Sequence, residues 1–224
     1  EMPSDFTVGR LTEAEQFGRQ VIQIMVGLGF QEMIYPYLGS ARDLIERMRP
    51  LPLDAADESH GDAGSGAESE PTAGSGPIHL ANPMSESYEY VRASSIPYLL
   101  TSESVSAHAA YPHHIFEVGK VARYDERDSH GVVTIDALGF VSADASANFT
   151  QVSGVIATLF YYLAVNHTLE ESGDERFIPG RAARITVNGR EVGVFGEIHP
   201  QVLENFGITV PCSAGEININ ALLA

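Results

Sequence analysis

The chain has 224 residues, enough to bury one sizeable core and short for two domains. Its 30 acidic and 13 basic residues, of which Lys120 is the one lysine, leave a net charge of −17. That charge excludes a generic basic surface for nucleic acid, whose phosphate contacts depend on Lys and Arg and weaken with salt. Acidity combined with scarce lysine is the composition expected of a protein from a salt-loving organism, where salt screens the self-repulsion.

The single cysteine, Cys212, excludes an intrachain disulfide and a cysteine-rich zinc site, and is expected as a small buried filler. No apolar run has the length of a membrane span, and the first residues carry no signal-peptide pattern, so a cytoplasmic location is expected. Because it begins at Glu1, the chain is expected to be an excised piece of a longer protein.

Thr12 and Glu15 have capping-box spacing, and Phe17, Val21, Ile24, Met25 and Leu28 recur at helical period up to Gly29, which predicts an amphipathic helix. Phe30 to Tyr37 reads as a strand ended by Pro36, and Ala41 to Met48 as an amphipathic surface helix. Residues 54–76 carry six carboxylates and five glycines with no large aliphatic side chain. Burial cannot offset the ordering entropy of such a segment, so a mobile acidic insertion without a binding role is expected.

A helix is expected near Ile96 to Ala109 and strands at His114 to Arg123 and Val132 to Val141. Thr150 opens a helix with Val152, Val155, Ile156, Leu159, Phe160 and Leu163 on one face. Ala183, Ile185 and Val187, then Val192, Val194 and Ile198, alternate as half-buried strands about Asn188-Gly189, a strong type I′ hairpin signal. Pro200 suits a first helical turn, Val202, Leu203 and Phe206 form a stripe, and Gly207 stops it, so the hairpin and this short helix are expected to close the fold. Clustered strands with irregular helices predict one α+β domain over residues 1–224, built on a mainly antiparallel sheet flanked by helices.

Several stretches resemble one family in one order: Gly29-Phe30-Gln31-Glu32, LANPMS from Leu80, RASSIPYLL from Arg92, FEVG from Phe116, FIPGRAARI from Phe177 and GEIHPQVLENFGI from Gly196. Together they resemble the class II synthetase-like core of the phenylalanyl-tRNA synthetase β subunit, archaeal/eukaryotic type. The resemblance implies a non-catalytic core that supports a catalytic α subunit in a heterotetramer of two α and two β chains. ATP, Mg²⁺ and phenylalanine then belong to α, no cofactor to this domain, and tRNA(Phe) meets the complex with little direct contact here. It also implies that the first helix and the following strand build a subunit interface.

In that class one arginine clamps the α-phosphate and another touches the γ-phosphate, because a guanidinium binds phosphate as a bidentate fork. Arg123 is the candidate for the first, in Arg123-Tyr124-Asp125, but Asp125 is a shorter acid than expected and Ala122 replaces an aromatic. A surface strand end is the favoured reading there. The second is sought in Val192 to Pro200, which has glycines but no arginine. Glu197 and His199 occupy it instead, and a carboxylate repels a triphosphate.

Glu197 and His199 are read as structural, with His199 as a helix cap rather than as half of a general acid/base pair. His113 and His114 point to opposite faces of a strand, which argues against a metal. Arg92 and Arg181 are expected to pair with buried carboxylates such as Glu117 or Glu216, or to face the partner subunit. Two rivals remain: a self-sufficient adenylate-forming ligase using Arg123, and a regulatory binding module on the same fold.

Overall fold

The computed structural model describes residues 9–48, 76–125 and 128–223. All of the expected acidic insertion except Gly76 lies outside the described residues. Helix α1 (Glu13–Gly27) begins where the Thr12 side chain accepts a hydrogen bond from the Glu15 amide at 3.2 Å. It leads to β1 (Gln31–Glu32), β2 (Leu38–Gly39) and α2 (Ala41–Leu44), which a 3₁₀ turn at Glu46–Met48 extends. Next come β3 (Ile78–His79), β4 (Tyr90–Val91), α3 (Ile96–Ser106), β5 (His113–Tyr124) and β6 (Val132–Ala143). The chain ends with α4 (Phe149–Leu163), β7 (Thr168–Glu171), β8 (Phe177–Val187), β9 (Arg190–Ile198), α5 (Pro200–Phe206), β10 (Cys212–Asn218) and α6 (Asn220–Leu223).

Seven strands form the main sheet in the order β1-β5-β6-β10-β9-β8-β7, antiparallel except for the β1–β5 pair. A small sheet, β2-β4-β3, sits apart. The architecture is α+β, with helices on both faces. Asn188 and Gly189 both take positive φ, 51° and 75°, as the β8–β9 turn requires.

Three expectations need correction. Only Gln31 and Glu32 of the Phe30–Tyr37 stretch form a strand, because the Tyr35 amide goes to the Glu117 carboxylate at 3.1 Å and Pro36 has no N–H to give. The Ala41–Met48 helix breaks at Ile45, whose φ of −122° is not helical. The hairpin and α5 do not close the fold, since β10 follows and inserts at the centre of the sheet.

Strand β8 keeps the expected alternation, with Ala183, Ile185 and Val187 buried and Arg184 exposed, while β9 is buried on both faces at Phe195 and Ile198, where helices cover each side of the sheet. On one side α1 and α4 bring Met25, Ile156 and Phe160 against Phe116, Phe140 and Phe195. On the other, α3 and α5 bring Leu99, Leu100, Val202 and Phe206 against Val141 and Ile198. Each fully buried apolar side chain of this size contributes about 1.5–3 kcal/mol. Among the described residues no helix is long and apolar enough to cross a membrane.

Phe140 is fully buried, meets Phe30 edge-on at 5.9 Å, and is approached so closely by Gly215 that a Cβ there would strike its ring. Phe140→Ala is expected to lower unfolding free energy by about 3–5 kcal/mol, read from the urea midpoint at fixed salt.

Candidate functional site

Strand alternation brings Glu117 of β5, Gly139 of β6, Glu216 of β10 and Val194 of β9 into one row across the sheet. The two glutamates are each 3% exposed, so both carboxylates need partners. The segment from Arg92 to Ser95, which leads into α3, supplies them. Arg92, fully buried, pairs with Glu117 at 2.7 Å, donates from Nε to the Lys120 carbonyl at 3.0 Å, and lies over the rings of Tyr37 and Tyr98. Three positions later, the Ser95 amide and hydroxyl donate to Glu216 at 2.8 and 3.2 Å.

Ser95 caps no amide with its own side chain, so the sheet supplies the negative charge at the α3 N-terminus. Gly119 and Gly139 make the approach possible. A Cβ on Gly119 would collide with the Arg92 guanidinium, and one on Gly139 with Ser95.

Beside this clamp lies a cavity of about 710 Å³. Its charged lining is Arg123, Arg176, Asp174, Glu175, Glu191 and Glu216. Arg176 holds Asp174 through a fork, Nε to Oδ1 at 2.9 Å and Nη2 to Oδ2 at 2.6 Å, and reaches Ser94 Oγ at 3.4 Å. Burial pushes the Asp174 pKa up, but the hydrogen bonds and charge of Arg176 outweigh it and hold the carboxyl below its usual range. Arg123 ends β5 with 46% of its side chain exposed and reaches Glu216 at 3.3 Å and the Ala93 carbonyl at 3.4 Å. Each guanidinium of the lining therefore already has a carboxylate of its own chain.

The remaining sequence candidates lie elsewhere. Arg181 pairs with Glu197 at 2.7 Å, not with Glu117 or Glu216, because β8 runs beside the Gly196 end of β9. Glu197 also accepts from the Phe149 amide at 2.8 Å, sharing the cap of α4 with Asn148. His199 caps α5, its Nδ1 accepting from the Gln201 amide at 3.1 Å, which assigns that nitrogen as unprotonated. Glu197 and His199 thus have separate partners and separate helices to cap. His113 pairs with buried Glu103 at 2.9 Å, while His114 meets Ser142 across the strand pair. Among the described residues no group of three or more metal-ligating side chains is placed to hold an ion. Cys212 is buried, and burial pushes its thiol pKa up.

Sequence reasoning missed Asp174, Arg176 and the link from Ser95 to Glu216. The Asp174-x-Arg176 spacing in a turn was a readable hint. The link joins residues 121 apart and left none.

The family model described as "Phenylalanyl tRNA synthetase beta chain CLM domain" matches residues 1–219. Similar proteins carrying the name phenylalanine–tRNA ligase beta subunit occur in Borrelia recurrentis, 46% identical over 223 residues, and Treponema pallidum subsp. pallidum, 44% identical over 223 residues. Another, from Borreliella burgdorferi, is 44% identical over 224 residues. All of this chain is covered in each case, against 36%, 33% and 36% of the relative, so the chain spans about a third of the length of the curated relatives it matches.

Removing one partner of a buried pair strands the other charge, whereas an exposed pair is screened. Arg92→Ala is therefore expected to cost about 3–5 kcal/mol and Arg181→Ala, 59% exposed, at most about 1 kcal/mol, both by urea denaturation. Asp174 has a depressed pKa when folded, so its contribution is complete above the unfolded value near ~3.9 and fades as pH falls. The stability gap between wild type and Asp174→Asn should accordingly narrow below about pH 4, measured by melting across an acid series.

Proposed function

We propose, because the chain belongs to the phenylalanyl-tRNA synthetase beta-chain family, that it is the non-catalytic core through which the β subunit of phenylalanine–tRNA ligase supports a catalytic α subunit. In this reading the whole enzyme attaches phenylalanine to tRNA(Phe) with ATP, as two α and two β chains in the cytoplasm. The α subunit carries the sites for ATP and Mg²⁺, and tRNA meets this domain little if at all. The net charge of −17 and the single lysine favour a salt-loving source.

One observation carries the proposal. Arg123 and Arg176, the guanidiniums lining the sheet-face cavity, are tied to Glu216 and Asp174, and Glu191 and Glu175 add further negative charge. A triphosphate entering there would meet carboxylates ahead of free cations, the reverse of what phosphoryl chemistry needs. The scaffold is intact, so its use lies in contact. Exposed apolar groups on and after α1, among them Val26, Ile34 and Tyr37, are where the α subunit is proposed to pack.

Calorimetry on this chain alone, at molar salt, is expected to give no heat of binding with ATP or phenylalanine. Titration with the cognate α subunit is expected to give a complex that aminoacylates tRNA once the rest of β is present. Clear binding of both small molecules would favour a self-sufficient ligase using Arg123. A chain that remains alone in the presence of α would leave the regulatory-module reading.

A further inference from the structure

The cavity of about 710 Å³ has the volume of a small-molecule site and opens on the face of the sheet. Its floor is apolar, made by Ile135 and Ala137 of β6 and Val194 of β9, and Leu44 and Met48 wall one side. A rim of charge surrounds that floor, and its two signs are not equally available. Arg176 has both arms of its fork on Asp174 and a third contact at Ser94, and Arg123 is turned toward Glu216 and the Ala93 carbonyl.

The other two acids are much freer. Glu175 is exposed and makes no hydrogen bond or ion pair among the described residues, and Glu191 has only Arg184, at 3.9 Å. Four carboxylates, Asp174, Glu175, Glu191 and Glu216, thus line the cavity with two guanidiniums, and the uncommitted charge is negative. An anion would be repelled at the lip and would have to displace an internal carboxylate from an arginine. An organic cation meets neither obstacle, and an apolar body attached to it would cover the floor.

We infer that this cavity is a binding site for a small organic amine, its ammonium drawn to the acidic rim to which Glu175 and Glu191 belong and its apolar or aromatic body on the floor of β6 and β9. The inference rests on the reading above that the cavity does not serve a nucleotide, and it names what the same cavity takes instead.

Benzylamine and benzoate have one shape and opposite charge, so they separate charge selection from simple apolar filling. In amide-resolved NMR titrations of the full chain at low, constant ionic strength, benzylamine is expected to give saturable shifts with a dissociation constant on the order of millimolar. The shifts should centre on residues 135–137 and 192–194, while benzoate leaves them unmoved. Glu175→Gln and Glu191→Gln, both at exposed positions, should each weaken benzylamine roughly two- to fivefold, and added salt should weaken it further. The inference is overturned if benzylamine gives no saturable shift, if benzoate binds as well, if the shifts fall elsewhere, or if neither substitution matters. ATP, titrated in parallel, tells the two failures apart: saturable ATP binding at this face rejects the non-catalytic reading as well, whereas silence with both ATP and benzylamine rejects only the amine site.

Discussion

Two glutamates buried side by side on one face of a sheet set the terms for this fold. Glu117 and Glu216 lie in the same row, separated by Gly139, where each is almost fully buried. An uncompensated buried charge costs far more than any single contact returns, so the chain must bring donors to them. It does so within one short segment: Arg92 answers Glu117 and Ser95 answers Glu216. Helix α3, which starts at Ser95, is anchored by this clamp, and its Leu99 and Leu100 pack into the core beside the sheet. Gly119 and Gly139 belong to the same device, since a side chain at either would hold the clamp off the sheet.

The clamp also decides what the neighbouring cavity can do. Glu216 is shared between Ser95 and Arg123, so a residue needed for structure also commits a cation that phosphate chemistry would use. Asp174 does the same to Arg176 from the other side. The ion pairs that hold the sheet therefore also occupy both guanidiniums of the cavity, and they leave a negative lip over an apolar floor. Away from the cavity, Arg181, Glu197 and His199 go to the strand edge and the starts of α4 and α5, where each fixes how a helix leaves the sheet.

The legible parts of the fold were those whose signal is local. Helix α1 was visible through its cap and period, the β8–β9 hairpin through Asn188-Gly189, and α5 through Pro200 and Gly207. Strand β10 escaped because Cys212, Ser213, Ala214 and Gly215 are small and show no apolar alternation. They are small because the strand sits between two others and under packed rings, with Phe140 pressed on Gly215. The Phe30–Tyr37 stretch misled for the opposite reason. Its composition favours a strand, but the Glu117 carboxylate takes the Tyr35 amide that a neighbouring strand would have used.

By itself the sequence determined the class of fold, the boundaries of most long elements, and the family. Cap residues, turn glycines and hydrophobic periods act over a few positions, and family markers are words, so both can be read along the chain. Only the tertiary structure decided who pairs with whom. Glu216 could have answered Arg181 on charge alone, yet strand order puts β10 beside β6 and gives it to Ser95 and Arg123, while Arg181 takes Glu197. Coulomb attraction at contact distance depends on where strands lie in space, and that order is set by the packing of the whole sheet.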